Sequence, residues 1–375
     1  MDKRKVLQVN KLYPPARGEG GIEKVVYQLA TGLCGDVDMK VLACTPKGRG
    51  SVRVEQGVEV HRAGSLGVLF SMPVSFSFFA QLRRLAKDRD IVHFHMPFPL
   101  GDAAYLLSGY KGKVVLWWHS DVVRQRAMLF FYKPFMRALL KRADCIMVAT
   151  QGHIEGSSYL GPYRDKCVVI PYGVEDAVLA RGARAIASGE TPHRTVHLLF
   201  VGRLVYYKGC DVLLEAFAKL KGDVDLTIVG DGPLKEALQQ QAQLLGAEAR
   251  VRFMHRVDEE TLHNLFAACD IFVLPSVAKS EAFGLVQIEA MSYAKPVVNT
   301  SLASGVPYVS IDGQTGLTVP PGDADALAGA LQRLMADADM RHQMGLRARR
   351  RVEEHFRLDG MLAQVLEQYK QLLAE

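Results

Sequence analysis

The stretch His197–Gly230, HLLFVGRLVYYKGCDVLLEAFAKLKGDVDLTIVG, decides how the whole chain is read. HLLFVG is a short continuous apolar run, DVLLEAFAKL repeats its apolar residues at helical spacing, and DLTIVG is a second apolar run. Strand, loop, helix and strand in that order make one βαβ unit, which belongs to a parallel sheet covered on both faces. The loop leaving the first strand carries Arg203 and Lys208. It lies on the side where a doubly wound sheet binds its ligands.

Downstream the alternation continues. PLKEALQQQAQLL reads as a helix, RVRFMH as a strand, TLHNLFAAC as a helix and DIFVLPS as a strand, followed by a helix containing Glu289, the strands KPVVNT and GLTVP, and a helix after Asp323. Upstream the same logic assigns strands to Val6–Val9, Met39–Cys44, Val58–His61, Ile91–His95, Val114–His119, Cys145–Ala149 and Cys167–Ile170. Helical patterns run over Ile22–Leu33 and around 75–87, 127–142 and 151–160. From Pro171 to Arg194 no convincing apolar strand occurs, so this stretch is read as a linker. The expected class is α/β, with two Rossmann-like doubly wound domains at residues 1–175 and 176–357 that place the carboxyl ends of their sheets beside a shared cleft.

A chain of 375 residues can fill two such cores. The formal charge of +6 is uneven: residues 1–175 hold 25 Lys+Arg against 15 Asp+Glu, and the remainder 21 against 25. Six cysteines, at 34, 44, 145, 167, 210 and 269, form no CxxC pair, which points to reduced thiols and a cytoplasmic protein. The basic amino terminus lacks the apolar core of a signal peptide, and no run approaches the length of a membrane span.

Several constellations sit where strands end. Gly20 and Gly21 precede the helix IEKVVYQLA, where backbone N–H groups can approach a ligand; a plain flexible loop would look the same. The spacing is not GxGxxG, which weakens a dinucleotide reading. Gly230–Pro233 is a tight turn into a helix. In SEAFGLVQIEAM, residues 280–291, the amides of Phe283, Gly284 and Leu285 lie at a helix start and can hold phosphate oxygens. Glu289, amid apolar neighbours, can accept hydroxyls from a ribose, and Glu281 in the loop reaches a sugar; solvated helix carboxylates are the plain alternative. His119 ends the strand VVLWWHSD. His93 and His95 point to one side of their strand, half of a metal site with no third ligand in view. Five Asp-x-Asp matches fall away from the ligand-binding edge and are read as chance.

The stretch RQRAMLFFYKPFMRALLKR, with Arg124, Arg126, Lys133, Arg137, Lys141 and Arg142, reads as a cationic amphipathic helix that can lie on an anionic membrane surface. LGVLFSMPVSFSFFAQLRR has a related character. Core packing of the same apolar residues is the plain alternative. No nucleic-acid-binding motif is present.

Taken together, Gly20-Gly21, His119, Gly202-Arg203 with Lys208-Gly209, Gly230-Asp231-Gly232-Pro233, the E-x7-E pattern from Glu281 to Glu289 and Asp312-Gly313-x-x-Gly316-Leu317 resemble the retaining GT-B glycosyltransferases of family 4, over nearly all of the chain. The resemblance is closest to bacterial lipopolysaccharide and exopolysaccharide mannosyltransferases. It implies a nucleotide-sugar donor, with Arg203 and Lys208 on the diphosphate, Glu289 on the ribose, Phe283, Gly284 and Leu285 on phosphate or sugar, and Glu281 on a sugar hydroxyl. It also implies His119 beside the transferred sugar, Gly20-Gly21 shaping the donor and acceptor side, and Met254 to Val257 lining the base. No divalent metal or other cofactor is expected. The implied reaction moves a hexose, mannose from GDP-mannose being favoured by HSDVVRQ, to a lipid-linked saccharide for O-antigen or exopolysaccharide, at the inner face of the cytoplasmic membrane. The terminal helix, 358–373, is expected to pack back on the first domain. A nucleotide-sugar epimerase built on the same fold is the alternative.

Overall fold

The computed structural model describes residues 3–14, 20–69, 72–121, 126–189 and 195–374. These divide into two compact units: residues 1–171 together with 360–375, and residues 172–359.

In the first unit the strands are β1 Lys5–Val9, β2 Asp38–Cys44, β3 Ser51–Glu55, β4 Val58–Ala63, the short hairpin β5 Val68–Leu69 with β6 Met72–Pro73, then β7 Ile91–Met96, β8 Lys113–Trp118, β9 Cys145–Val148 and β10 Cys167–Val169. Eight of them form one sheet in the order β10-β9-β8-β7-β1-β2-β4-β3. All neighbours run parallel except β3, which pairs antiparallel with β4 at the edge. Every residue of β7 and β9 is buried, as expected of strands with helices on both faces. One core gathers Leu7, Phe78, Phe94, Phe98, Leu116 and Trp118, all almost fully buried.

The second unit holds β11 Val196–Val201, β12 Val224–Val229, β13 Val251–Met254, β14 Ile271–Val273, β15 Val297–Thr300 and β16 Gly316–Val319. They lie parallel in the order β13-β12-β11-β14-β15-β16, the Rossmann arrangement, whose strand order reverses between β11 and β14. Phe200, Leu213, Phe217, Ile228 and Leu331 centre its core.

Helices stand where the reading of the sequence placed none. The stretch read as a linker contains a 12-residue helix, Asp176–Ala187, with Val178 and Leu179 buried. It lies so close to the helix Leu285–Ser292 that a β-carbon on Gly182 would stand 2.0 Å from the Ser292 carbonyl oxygen. A helix also spans Pro99–Ser108, between β7 and β8. The last helix, Leu358–Ala374, starts in the second unit and continues into the first, where Met361, Val365 and Tyr369 are buried.

Candidate active site

The loops leaving β11 and β14 flank the point where strand order reverses, and backbone contacts lock them together. Gly209 ends the β11 loop at φ +66°, and a β-carbon there would stand 2.1 Å from the Pro275 carbonyl oxygen. Only glycine combines that left-handed backbone with so close an approach. The amide of Val277 donates to the Tyr207 carbonyl at 2.8 Å. On the other side, the turn after β12 packs on the same loop: Leu204 N–H donates to Asp231 and Leu234 N–H to Leu204. Gly230, at φ +148°, would place a β-carbon 1.9 Å from the Gly202 carbonyl oxygen.

This locking brings Lys208 and Glu281 together. Lys208 Nζ lies 2.5 Å from Glu281 Oε2, with side chains only 12% and 10% exposed. Ser276 Oγ donates to the same oxygen at 3.1 Å. Desolvation presses the pKa of the Lys208 ammonium down, but the Glu281 charge and hydrogen bond outweigh it and the net shift is upward. Arg203 is exposed and has no ion-pair partner among the described residues. The site therefore offers one cation already paired and one open to an anion.

The carboxylate loop runs into the helix Leu285–Ser292, whose N-cap is Gly284. Among the described residues, the amides of Phe283, Gly284 and Leu285 donate to no carbonyl, leaving N–H groups at a positive helix end. Their position is set from beneath. The Phe283 ring is buried edge-on against Tyr172 and Phe356. Gln287 Nε2 donates to the Phe283 carbonyl at 2.9 Å, and Asn299 Nδ2 donates to Gln287 Oε1 at 2.9 Å. Thr318 Oγ1 donates to Asn299 Oδ1 at 2.7 Å, and Thr300 Oγ1 to the Ser276 carbonyl at 2.6 Å. A buried polar network with its hydrogen bonds made holds a single arrangement, because leaving any member unpaired is costly. Glu289 is half-buried one turn beyond Leu285, and its charge is felt at the Tyr293 hydroxyl. Met254 ends β13 and Val257 follows it, both half-buried, with the Met254 carbonyl accepting from Gly230 N–H.

Sequence reading placed Arg203, Lys208, Glu281 and Phe283–Leu285 at this edge; the structure brings Lys208 and Glu281 into contact, with Arg203 in the loop that carries Lys208 and the Phe283–Leu285 amides just after Glu281. It missed Ser276, Gln287 and Asn299, which look like ordinary strand and helix residues until their partners are seen. Of the aspartate pairs read as chance, Asp323 and Asp337 cap helices through the amides of Ala326 and Met340.

In the first unit, Gly20 is the N-cap of the helix Gly21–Leu33 in extended conformation; the loop residues just before it lie outside the described residues. His119 follows β8, is buried, and lies 2.9 Å from His95 through its Nε2. His93 and His95 do share one side of β7, their rings stacked 4.8 Å apart. Among the described residues no group of three or more His, Cys, Asp or Glu could hold a metal ion. Arg124 lies outside the described residues. Lys133, Arg137, Lys141 and Arg142 sit on the helix Arg126–Arg142, with Arg142 paired to Asp144 at 2.9 Å. Among the described residues no helix is long and apolar enough to cross a membrane.

Two Rossmann-like units, the second with cations and open amides at its switch point, are the parts of a GT-B fold. Comparison with known proteins makes the class specific. Residues 184–351 match the model for glycosyl transferases group 1, and residues 19–178 the model for glycosyltransferase family 4. The chain is 32% identical to the O-antigen chain mannosyltransferase C of Escherichia coli, over 98% of this chain and 99% of that one. It is 36% identical to the D-rhamnosyltransferase WbpZ of Pseudomonas aeruginosa, over 90% and 88%. The protein belongs to this glycosyltransferase family. The fold matches sucrose-phosphate synthase from Thermosynechococcus elongatus at TM-score 0.82 and 24% identity, covering 99% of this chain and 100% of that one. It also matches Anabaena HepE in complex with UDP, at TM-score 0.76 and 20% identity, covering 98% and 100%.

Proposed function

We propose that the protein is a retaining hexosyltransferase that moves mannose from GDP-mannose to a lipid-linked saccharide in the assembly of cell-surface polysaccharide. The carrying observation is the charge arrangement at the switch point of the second unit: Arg203 without an ion-pair partner among the described residues, Lys208 beside Glu281, and the amides of Phe283, Gly284 and Leu285 at a helix start. Relatives named as an O-antigen mannosyltransferase and a D-rhamnosyltransferase support the sugar and pathway. A structural relative bound to UDP supports a nucleotide donor.

On this reading the donor diphosphate lies between the two cations and the open amides, Glu289 takes the ribose, and Met254 to Val257 line the base. As the anomeric C–O bond breaks, negative charge grows on the departing nucleotide. Fixed cations and amides aimed there favour the transition state over the ground state. The acceptor hydroxyl attacks from the same face and gives its proton to the departing phosphate oxygen, so configuration is retained. Glu281 and His119 serve the saccharide. Arg203 and Lys208 supply the positive charge, and transfer proceeds without a divalent metal. Lys133, Arg137 and Lys141, with the exposed Phe135, hold the protein to the inner face of the cytoplasmic membrane.

The test is a thermal-shift and calorimetric screen of GDP, UDP and ADP, since a ligand that binds the native state raises its apparent stability. Incubation of GDP-mannose with a lipid-linked saccharide in EDTA follows, with NMR of the anomeric proton in the product. GDP binding and an α-linked product are expected. Preference for UDP or ADP refutes the donor, a β-linkage refutes retention, and a changed sugar formed without acceptor points to an epimerase.

A further inference from the structure

Three consecutive carbonyls at the start of the helix Leu285–Ser292 are each held by a donor. Gly305 N–H donates to the Ala282 carbonyl at 2.6 Å, Gln287 Nε2 to the Phe283 carbonyl at 2.9 Å and Gln287 N–H to the Gly284 carbonyl at 2.8 Å. In a trans peptide the N–H points opposite to the carbonyl. The amides of Phe283, Gly284 and Leu285 therefore each point away from the group that holds the carbonyl before them. Gly284 is buried, and its N–H donates to no protein group among the described residues. A buried N–H left so costs free energy until an acceptor arrives.

The middle peptide is the one that the backbone alone leaves undecided. Gly284 lies at φ +73°, and glycine takes either sign of φ at little cost. A turn of the Phe283–Gly284 peptide would bring its carbonyl round to the side of the amides, where it would repel an anion. A buried side chain prevents that turn. The NH2 of Gln287 faces the carbonyls of Phe283 and Val306, at 2.9 and 3.4 Å, and neither can donate. Gln287 Oε1 accepts from Asn299 Nδ2 at 2.9 Å. The same Asn299 NH2 faces the carbonyls of Val306 and Ser310, at 3.1 and 3.3 Å, while the Thr318 hydroxyl donates to Asn299 Oδ1 at 2.7 Å. Turning either side-chain amide over would set its oxygen against two carbonyls. Both orientations are thus fixed by several contacts of ordinary length.

We propose that Gln287, seated by Asn299, is a positioning residue that locks the Phe283–Gly284 peptide with its N–H outward. The helix start then presents three amides and no carbonyl, a surface that selects a ligand made only of acceptor oxygens, as a diphosphate is. This rests on the reading of these amides as the diphosphate site and deepens it. Gln287 acts on that ligand through the backbone, without touching it.

The sequence Phe-Gly occurs once in the chain, so protein labelled with 13C at phenylalanine carbonyls and 15N at glycine gives one correlated NMR signal, that of the Phe283–Gly284 peptide. Inorganic pyrophosphate is the probe. In the unaltered protein the Gly284 amide proton should move downfield as pyrophosphate saturates. Gln287→Met keeps the length of the side chain and removes its donor. In that variant the Phe283 carbonyl carbon should move upfield before any ligand is added, the Gly284 response should shrink, and pyrophosphate should bind about tenfold more weakly by calorimetry. Asn299→Leu, which frees the Gln287 amide to turn, gives the same readout should Gln287→Met fail to fold. A Gly284 proton that stays in place while pyrophosphate saturates the unaltered protein overturns the outward orientation. A Phe283 carbonyl carbon that does not move in either folded variant, with affinity unchanged, overturns the positioning role. The carbonyl signal is read without ligand. Absence of nucleotide binding in the screen above therefore refutes the diphosphate reading, and the lock still stands or falls on that signal.

Discussion

The carbonyl of Tyr207 accepts the amide of Val277 at 2.8 Å, tying the residue before Lys208 to the backbone that leads to Glu281. The ammonium and the carboxylate are thus neighbours before any ligand arrives. On the proposed reading, Lys208 would bind an anion beside a charge that already balances it. Lys208→Met removes a cation from the diphosphate position and should lower turnover by about 10²–10³-fold. It also leaves Glu281 buried beside Ser276 without its partner, a loss of about 3 kcal/mol in stability. Lys208→Met with Glu281→Gln should recover much of that stability and none of the activity. Urea denaturation and initial rates check the two halves separately.

Gly230 meets the Gly202 carbonyl oxygen with no room for a β-carbon. Gly230→Ala should destabilise the second unit by about 1–3 kcal/mol and displace the loop carrying Arg203, weakening nucleotide affinity more than stability alone explains. A matched change at Gly222, which has open space around it although its φ is also positive, should lower stability without the loss of affinity. Calorimetry with GDP on both variants distinguishes them.

Acid should weaken the first unit through its buried imidazoles. Burial lowers the pKa of His153 to about 4 and of His93 to about 3, with His95 and His119 also far below 6.5. Below about 6.5 the unfolded chain takes up protons that the native state refuses, so stability falls as pH falls towards the native values, by up to about 1.4 kcal/mol per pH unit for each group. Above about pH 7 these groups contribute no slope. His153→Phe should flatten the dependence by close to one proton between about pH 6 and about pH 4.5, measured from urea midpoints.

Arg137 and Lys141 are exposed on the helix Arg126–Arg142, next to Phe135 at 45% exposure. Leu66, Val68, Leu69 and Phe76, elsewhere in the same unit, are more than half exposed. Arg137→Glu with Lys141→Glu should reduce binding to vesicles containing anionic lipid by about tenfold or more, at roughly 1 kcal/mol per basic residue, and the effect should fade in high salt. Partitioning equal to that of the unaltered protein refutes membrane attachment through this helix.

The parallel strands were legible because buried strands in such sheets are continuous apolar runs. Strand β3, SVRVE, was not: it is an edge strand whose Val52 and Val54 face solvent, so it buries too little to announce itself. The helix Asp176–Ala187 was hidden by Arg181, Gly182 and Arg184, which interrupt its apolar face, although Gly182 is what allows its close approach to Ser292. Arg203, Lys208 and Glu281 could be assigned to one edge because strand ends are predictable. Their mutual contact depends on loop paths that no local pattern encodes. The alternation of His93 and His95 was readable, whereas the bond from His93 to Tyr369 joins residues 276 positions apart.

The helix Leu358–Ala374 supplies buried side chains to the first unit but follows all of the second in the chain. During synthesis, then, the amino-terminal half emerges long before the segment that covers Gln8 and His93, and must wait half-finished while some two hundred residues are added. A fragment ending near Pro171 would expose that uncovered face and should be insoluble by itself, whereas supplying the missing helix as a separate peptide should restore a soluble pair.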